Sequence, residues 1–245
     1  MKKLFLLITI LICGGILFAQ KEKKLTSTTV DNESRNIYVG LCFGPTVDWF
    51  LPTTQAFTGK SVKAGFITGV LVEPALVTER FLYLSTGVLV RYLMGEASFW
   101  NHYKINNLPF STFATRHYET TYLTLPTIAK FRTVPLKNCV FSAKIGLYHN
   151  FKIDGNQYDS FVLNEKENEF FTTTKKKKNL DAALFTETGC IGVGFEYTIG
   201  KSRAFANFDY NCQFGYFNPN AKSNISEDRF KTIVHSLQII LGFMF

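Results

Sequence analysis

The chain has 245 residues and a formal net charge of +8 at pH 7, with 16% aromatic residues at a mean hydropathy near zero (+0.04). No run of 18 apolar residues follows Ser34, which excludes a membrane-spanning helix in that part of the chain. The length fits one domain, and no linker-like segment divides it.

The first 35 residues have the features of an export signal followed by a polar lead-in. Lys2 and Lys3 precede an apolar stretch from Leu4 to Phe18, and the small residue Ala19 stands before Gln20 at a plausible cleavage site. We therefore predict a signal peptide over residues 1–19 and a flexible periplasmic lead-in over residues 20–35. The folded domain is then residues 36–245. Export also argues against nucleic acid as the partner of this basic chain and favours anionic envelope components such as lipopolysaccharide.

Period-2 alternation of apolar and polar residues begins at Ile37 and recurs along the chain. Each such segment has one apolar face and one face of small, polar or charged residues, as strands of a two-faced sheet do. The alternation predicts eight strands, around residues 37–48, 62–73, 82–92, 118–132, 141–151, 185–197, 203–215 and 235–245.

The last segment sets odd-numbered apolar residues against small or polar ones and stops on Phe245. An exposed apolar edge strand would promote aggregation of a soluble protein, whereas a strand closing a barrel in lipid requires an apolar outward row. The alternative is the last core strand of a soluble sandwich. The segment resembles the C-terminal recognition strand of Gram-negative outer-membrane barrels, and this resemblance implies that Phe243 and Phe245 form the signal read by the barrel-insertion machinery.

Charged residues share the second face with most of the glycines. An eight-stranded barrel has an interior that side chains can just fill, so these charges are expected to pair inside it. The alternative to such a structural ion-pair network is a proton path or a binding site. Pro126 falls mid-strand, where we expect a bulge or a kink. The charges concerned are Lys63, Glu73, Arg91, Lys130, Lys144, Glu196, Arg203 and Asp209.

Long and short connections alternate strictly along the chain. This is the pattern of long extracellular loops and short periplasmic turns, with both termini in the periplasm. Trp49 and Trp100 would belong to the outer aromatic girdle. We therefore predict an all-β, eight-stranded antiparallel up-and-down transmembrane β-barrel in the outer membrane. The predicted long loops are residues 49–61, 97–117, 153–181 and 217–229, and the short turns are residues 77–80, 133–138 and 198–202.

Several short segments spread along the chain together carry a family resemblance. They are Phe-Ala-Gln at 18–20, Val39-Gly40 to Gly44, Lys63–Phe66 with Gly69, Leu84–Val88, Tyr122–Pro126 with Lys130, and Gly192-Val193-Gly194. With these segments the chain resembles the PorT-like outer-membrane β-barrel family across the whole mature chain. The founding member of that family belongs to the type IX secretion and gliding apparatus. The resemblance implies a structural or secretion-accessory role through loops or turns, with other secretion-complex proteins as partners.

Two other functions stay open: a surface adhesin or ligand-binding barrel, and a lipid A-modifying enzyme. Small outer-membrane barrels can use His, Ser and an acid near the outer leaflet. His102 and His117 lie near Ser98, Ser111 and Glu119 in the second long loop. No nucleophile-elbow context accompanies them, however, so we expect no enzymatic activity. His149 lies high on the fifth predicted strand and His235 begins the last one, with no partner suggested for His235.

No His/Cys spacing suggests a metal site, and no cofactor is expected. Cys190 and Cys212 flank the 198–202 turn but fall on opposite faces, so we interpret them as small hydrophobic residues, with a disulfide as the alternative. Lys175, Lys176, Lys177 and Lys178 are either a solvated loop tip or a contact for lipopolysaccharide phosphates or an acidic partner.

Overall fold

The computed structural model describes residues 36–53, 57–59, 61–77, 81–105, 108–164, 169–172, 177–178, 182–218, 221–222 and 229–245. The predicted signal peptide and lead-in therefore lie outside the described residues. Within those ranges, no helix is long and apolar enough to cross a membrane.

The described regular elements are all β-strands. Eight are long and five have only two to four residues. They are β1 (Ile37–Pro52), β2 (Phe57–Gly59), β3 (Val62–Pro74), β4 (Leu82–Ile105), β5 (Leu108–Arg132), β6 (Cys139–Asn164), β7 (Glu169–Thr172), β8 (Lys177–Lys178), β9 (Phe185–Ile199), β10 (Ser202–Phe214), β11 (Ala221–Lys222), β12 (Arg229–Phe230) and β13 (Thr232–Met244).

The eight long strands form one closed antiparallel ring. Going round it, the order is β1-β3-β4-β5-β6-β9-β10-β13, and β13 returns to β1 with Leu41 opposite Phe243 and Val47 opposite Leu237. Each long strand thus lies beside the one that precedes it among the eight, which is the predicted up-and-down barrel. Closure matters because a sheet without edges leaves no unpaired backbone groups facing lipid.

Alternation of burial along each strand follows the predicted faces. In β13 the even-numbered Ser236, Gln238, Ile240 and Met244 are buried, whereas Ile239, Leu241 and Phe245 point outward and are exposed. Large apolar side chains therefore cover the outside of the ring and polar ones fill the inside. This distribution of apolar and polar side chains is the reverse of that in a soluble protein, and a barrel surrounded by lipid requires it.

Three strands are much longer than the alternation predicted. β4, β5 and β6 have 24, 25 and 26 residues, whereas β1 has 16 and β3 has 13. The prediction of a long loop over residues 97–117 is wrong, because β4 and β5 continue pairing until Ile105 faces Leu108. The 153–181 prediction is also wrong in part, since β6 runs to Asn164 and pairs with β7 and β8. About ten extra residues add about 30 Å of strand at about 3.3 Å per residue.

The ring has two unlike ends. We call the end reached by the β4–β5 and β6 extensions the hairpin end, and the opposite end, with Ile37 and Phe245, the turn end. At the turn end β9 and β10 are joined by Gly200 and Lys201 alone, and Gly200 has a φ of 61°. A positive φ at the first position suits the tight turns that match strand twist.

Two prolines, Pro126 in β5 and Pro45 in β1, lie within long strands and affect the pairing differently. The β5–β6 register runs unbroken through Pro126, opposite Tyr148, and the bulge lies instead between Thr121 and Tyr122. The expected bulge at Pro126 is therefore wrong. Pro45 has the larger effect, because the β1–β13 pairing skips from Phe43 to Thr46 around it. A proline has no N–H to donate, so the closing seam lacks pairs at this point.

We predict that Gly44→Val prevents closure of the seam between β1 and β13. A Cβ at position 44 would lie 1.8 Å from the backbone oxygen of Ile239, which no side-chain rotation can relieve. Wild-type protein should migrate faster unheated than boiled on an SDS gel, and the variant should lose this difference. Val47→Ala, an exposed outward position on the same strand, is the control that should keep it. A heat-modifiable Gly44→Val protein would contradict the proposed tight seam.

Candidate functional site

Charged side chains meet inside the barrel near the turn end. Lys130 Nζ lies 2.9 Å from both carboxylate oxygens of Glu73 and 2.8 Å from Oε1 of Glu196. Arg132 also contacts Glu196, and Arg203 Nη1 lies 3.6 Å from Oε2 of that carboxylate. All five side chains are buried. Strands β3, β5, β9 and β10 are thereby joined across the lumen.

A second group of ion pairs lies further toward the hairpin end. Arg91 Nη2 donates to Asp48 Oδ1 at 2.7 Å and to Ser236 Oγ at 2.9 Å. Lys144 Nζ lies 2.7 Å from Oδ2 of Asp209. Both aspartates are fully buried. These contacts satisfy charges that would otherwise be very costly to bury.

The buried charged side chains that meet in the lumen are therefore paired. The cavity lined by Arg91, Asn150 and Gln213 has a volume of about 10 Å³, which is room for about one water molecule. The predicted inward charges are confirmed except for Lys63. Its side chain is 35% exposed and reaches Glu96 at the hairpin end, beyond the last described β3–β4 pair, Phe66 with Tyr92.

Three polar side chains come together on the outward face of the hairpin end, one each from β4, β5 and β6. His117 Nδ1 lies 2.7 Å from Oε1 of Glu96, and His117 Nε2 lies 2.8 Å from Oγ of Ser160. The antiparallel register places Glu96 directly opposite His117. Ser160 lies opposite Thr115, which is two residues from His117 on the same face of β5. We call these three residues the Ser160–His117–Glu96 cluster.

Neighbouring groups hold Glu96 ionised. Lys63 Nζ lies 2.5 Å from its Oε1, and the Ser61 hydroxyl donates to Oε2. Partial burial alone would raise the pKa of Glu96, but the hydrogen bonds from Lys63 and Ser61 and the positive charges nearby lower it below the usual value for glutamate. A carboxylate that only accepts hydrogen bonds requires His117 to carry a proton on Nδ1.

The backbone around the cluster is fixed from both faces of the sheet. Arg116 and Asp159 form a bidentate pair on the opposite face, with Nε to Oδ1 at 2.6 Å and Nη2 to Oδ2 at 2.9 Å. The His117 ring stacks on Tyr158, with centroids 4.6 Å apart and planes at 10°. These contacts fix the β5–β6 register where Ser160 meets His117.

The cluster lies beyond the apolar band of the barrel. On the outward face, β4 is apolar at Val88 and Val90, and β6 is apolar at Phe151 and Ile153. Further toward the hairpin end the same face carries Glu96, His117 and Ser160, all in strands that extend past the start of β3. Charged groups on a lipid-facing surface are tolerated near the interface and costly at the bilayer midplane.

The sequence selected His117, but its described partners, Glu96 and Ser160, are not among the residues that the sequence placed near it. Ser98 pairs with Thr115, hydroxyl to hydroxyl at 2.8 Å, rather than with a histidine. The side chains of His102 and Ser111 lie outside the described residues, as does that of Trp100. The pairing of Glu96 and His117 follows from their equal distance from the 106–107 turn, once β4 and β5 are extended. Nothing in the sequence indicated Ser160.

The other two histidines lie on the outward face. His149 Nδ1 is 3.3 Å from Glu187 Oε1. The expectation that His235 has no partner is wrong, because its Nδ1 lies 2.6 Å from the Tyr210 hydroxyl and its ring stacks on Trp49 at 5.9 Å. This aromatic group occupies the place predicted for the girdle residue Trp49.

All four described cysteines are free. Cys190 is buried opposite Asn211, and Cys212 is half-buried opposite Gly189. The one-residue offset directs the two side chains to opposite faces, as predicted, so no disulfide joins them. Among the residues that the structure describes, no group of three or more His, Cys, Asp or Glu side chains could hold a metal ion.

The sequence also predicts an assembly signal at Phe243 and Phe245 and an anion contact at Lys175 to Lys178. Phe243 and Phe245 lie on the outward face of the turn end, with ring centroids 5.2 Å apart. Their recognition by insertion machinery stays a prediction. Lys175 and Lys176 lie outside the described residues, and Lys177 and Lys178 are described only by their backbone pairing with Gln157 and Asn156 of β6.

Comparison with known families decides the class of the chain. The family model described as outer membrane protein beta-barrel domain matches residues 18–215. The chain belongs to this outer-membrane β-barrel family. It is accordingly an outer-membrane protein, as its inverted distribution of apolar side chains requires. No curated protein sequence matches it.

Several solved barrels are similar to this chain in fold. Neisserial surface protein A is 10% identical, covers 86% of this chain and 96% of its own, and gives a TM-score of 0.40. Ail, the attachment invasion locus protein of Yersinia pestis, is 10% identical over 86% of this chain and 100% of its own, with a TM-score of 0.37. The outer membrane protease OmpT of Escherichia coli is 8% identical over 90% and 99%, with a TM-score of 0.33.

We predict that Lys130→Met destabilises the barrel strongly. The change leaves Glu73 and Glu196 buried without their shared cation, and breaking a buried pair in this way costs about 3–5 kcal/mol. Urea unfolding in lipid vesicles, followed by tryptophan fluorescence, should show a lower midpoint. Lys63→Met, at a partly exposed pair, is the matched control and should change stability by about 1 kcal/mol or less. Equal midpoints for the two variants would show that the interior network does not stabilise the barrel.

Proposed function

We propose that this protein is a non-conducting outer-membrane barrel that acts as a structural or secretion-accessory component through its two ends. The observation that carries the proposal is the packed lumen, in which Lys130 and Arg91 cross to carboxylates on other strands. A solute would have to break several buried ion pairs to pass. The functional surfaces are therefore those outside the ring.

The difference in connection length between the two ends of the barrel supports one orientation of the barrel in the membrane. Outer-membrane barrels place short turns in the periplasm and long connections outside the cell. On this rule the turn end, with Gly200 and Lys201, faces the periplasm, and the hairpin end extends from the cell surface. The resemblance to PorT-like barrels adds a class of partner, namely other proteins of a secretion or gliding assembly.

The accessory role predicts both a lack of conductance and a partner that depends on the hairpin end. Purified protein in planar bilayers should give no stable channels. In outer-membrane extracts it should co-purify with envelope proteins in fixed stoichiometry. Replacing residues 98–115 by Asn-Gly shortens the β4–β5 hairpin while keeping Ala97 opposite Arg116.

The shortened variant should remain heat-modifiable and lose the partner. In a matched control, residues 133–138 at the turn end are replaced instead. This control variant should keep a partner that binds the hairpin end. Stable conductance of the wild-type protein would contradict the sealed barrel. Purification without stoichiometric partners, from cells that express the full-length protein, would contradict the accessory role.

An anion-binding role of the lysine run is the second candidate. Its support is that Lys177 and Lys178 pair through their backbone with the hairpin-end part of β6. Adjacent ammonium groups attract phosphates, and salt screens that attraction.

We expect replacement of Lys175 to Lys178 by Gln to weaken binding to vesicles containing lipopolysaccharide, and 1 M NaCl to weaken binding of the wild-type protein to a similar extent. Lys137→Gln with Lys201→Gln, two turn-end changes, is the control and should have no effect on protein that is oriented with the hairpin end outward. Salt-independent binding, or binding unchanged in the quadruple variant, would refute this contact.

A further inference from the structure

We propose that Ser160, His117 and Glu96 form a nucleophile–base–acid triad that hydrolyses carboxylic esters at the hairpin end. The proposal goes beyond the accessory role and does not rest on it. It also takes up the enzymatic alternative with different residues from those that the sequence suggested, since only His117 is common to both.

The hydrogen bonds run in the order that such chemistry requires. Glu96 can only accept, so a proton of His117 lies on Nδ1, and in the neutral imidazole the Nε2 lone pair then faces Ser160. Ser160 Oγ can then donate to Nε2 at 2.8 Å. The backbone oxygen of Thr115 is a more distant acceptor, at 3.4 Å. A serine that donates to an imidazole whose other nitrogen is held by a carboxylate is the arrangement of the serine hydrolases, which recurs on unrelated folds.

The cluster is more firmly built than a chance surface contact. Glu96 has three partners, namely His117, Lys63 and Ser61, and its side chain is only 10% exposed. The other outward His–Glu pair provides the contrast: His149 and Glu187 are 3.3 Å apart, and the Glu187 side chain is 43% exposed. A base whose orientation is fixed by packing and hydrogen bonds loses less entropy in the transition state.

The reaction balances with water as the second substrate. His117 Nε2 takes the proton of Ser160 as Oγ attacks the ester carbonyl carbon. The alkoxide leaving group departs with that proton, so the acyl group is bonded to Oγ. His117 then takes a proton from water, the hydroxide attacks the acyl carbon, and Oγ leaves with the proton to restore Ser160. Glu96 stays ionised throughout and stabilises the imidazolium.

The surroundings define the class of ester. His117 is 22% exposed on its side chain, and the cluster lies beyond the apolar band, so an ester on a headgroup or glycan reaches it without entering the acyl-chain region. Thr115 lies in direct register with Ser160 on the same face, so a polar hydroxyl, itself paired with Ser98, adjoins the proposed nucleophile. We infer that the substrates are carboxylic esters carried above the hydrocarbon region.

The test uses full-length protein in lipid vesicles with a fluorophosphonate probe, which reacts with activated serines. Mass spectrometry should find the probe on Ser160, and Ser160→Ala should lose it. His117→Gln should slow labelling by about 10²–10⁴-fold, the usual contribution of a general base. The matched control is His149→Gln, which should label as the wild type does. All variants are checked for heat-modifiable folding.

Two ester probes then separate the sources of substrate. Hydrolysis of p-nitrophenyl acetate without release of fatty acid from phospholipid vesicles would assign small acyl esters, and release of fatty acid would assign lipid esters. Glu96→Gln should lower kcat and leave KM unchanged, which a purely structural role would not produce. Folded wild-type protein that is not labelled on Ser160, that is labelled equally fast in His117→Gln, or that hydrolyses neither ester would overturn the proposal.

Discussion

The single ammonium group of Lys130 is the contact on which the closed ring most depends. It lies between Glu73 of β3 and Glu196 of β9, strands on different sides of the lumen. Backbone pairing between neighbouring strands closes the ring, but it does not determine which side chains fill the lumen. In lipid the outside of the barrel gains little from burying apolar side chains, because the surrounding solvent is equally apolar. Interior hydrogen bonds and ion pairs therefore provide much of the specificity that a hydrophobic core provides in water.

The requirement for an apolar outer surface around a polar lumen explains how much of the fold the sequence alone predicts. Within the membrane each strand has one face in lipid and one in a polar lumen, so alternation is strict and the odd and even residues of β13 separate cleanly. The charges at Glu73, Lys130 and Glu196 were expected inside for the same reason. Their pairing geometry was not predictable, because it depends on which strands face each other across the lumen.

In the strand segments that extend beyond the lipid, the period-2 alternation of apolar and polar residues disappears for a physical reason. Both faces of a strand can be polar in water, so residues 97–117 lack the alternation that marks a membrane strand, and their sequence predicts a loop. The structure shows them as paired extensions of β4 and β5. The candidate triad lies in this part of the barrel, so Glu96 and Ser160 were missed together with the strands that carry them. Composition within a loop identified His117 but could not identify its neighbours.

The mirror symmetry of the β4–β5 hairpin has a consequence for how this region can diverge in related chains. Glu96 and His117 stand at equal distances from the 106–107 turn, so removing one residue from each arm shortens the hairpin and leaves their pairing intact. An unmatched insertion in one arm must instead be accommodated as a bulge or in the turn, because the pairing of His117 with Tyr158 of β6 keeps His117 and Ser160 on one face. Paired length changes beyond Glu96 and His117 can thus alter the outline of the hairpin end while the three side chains stay together.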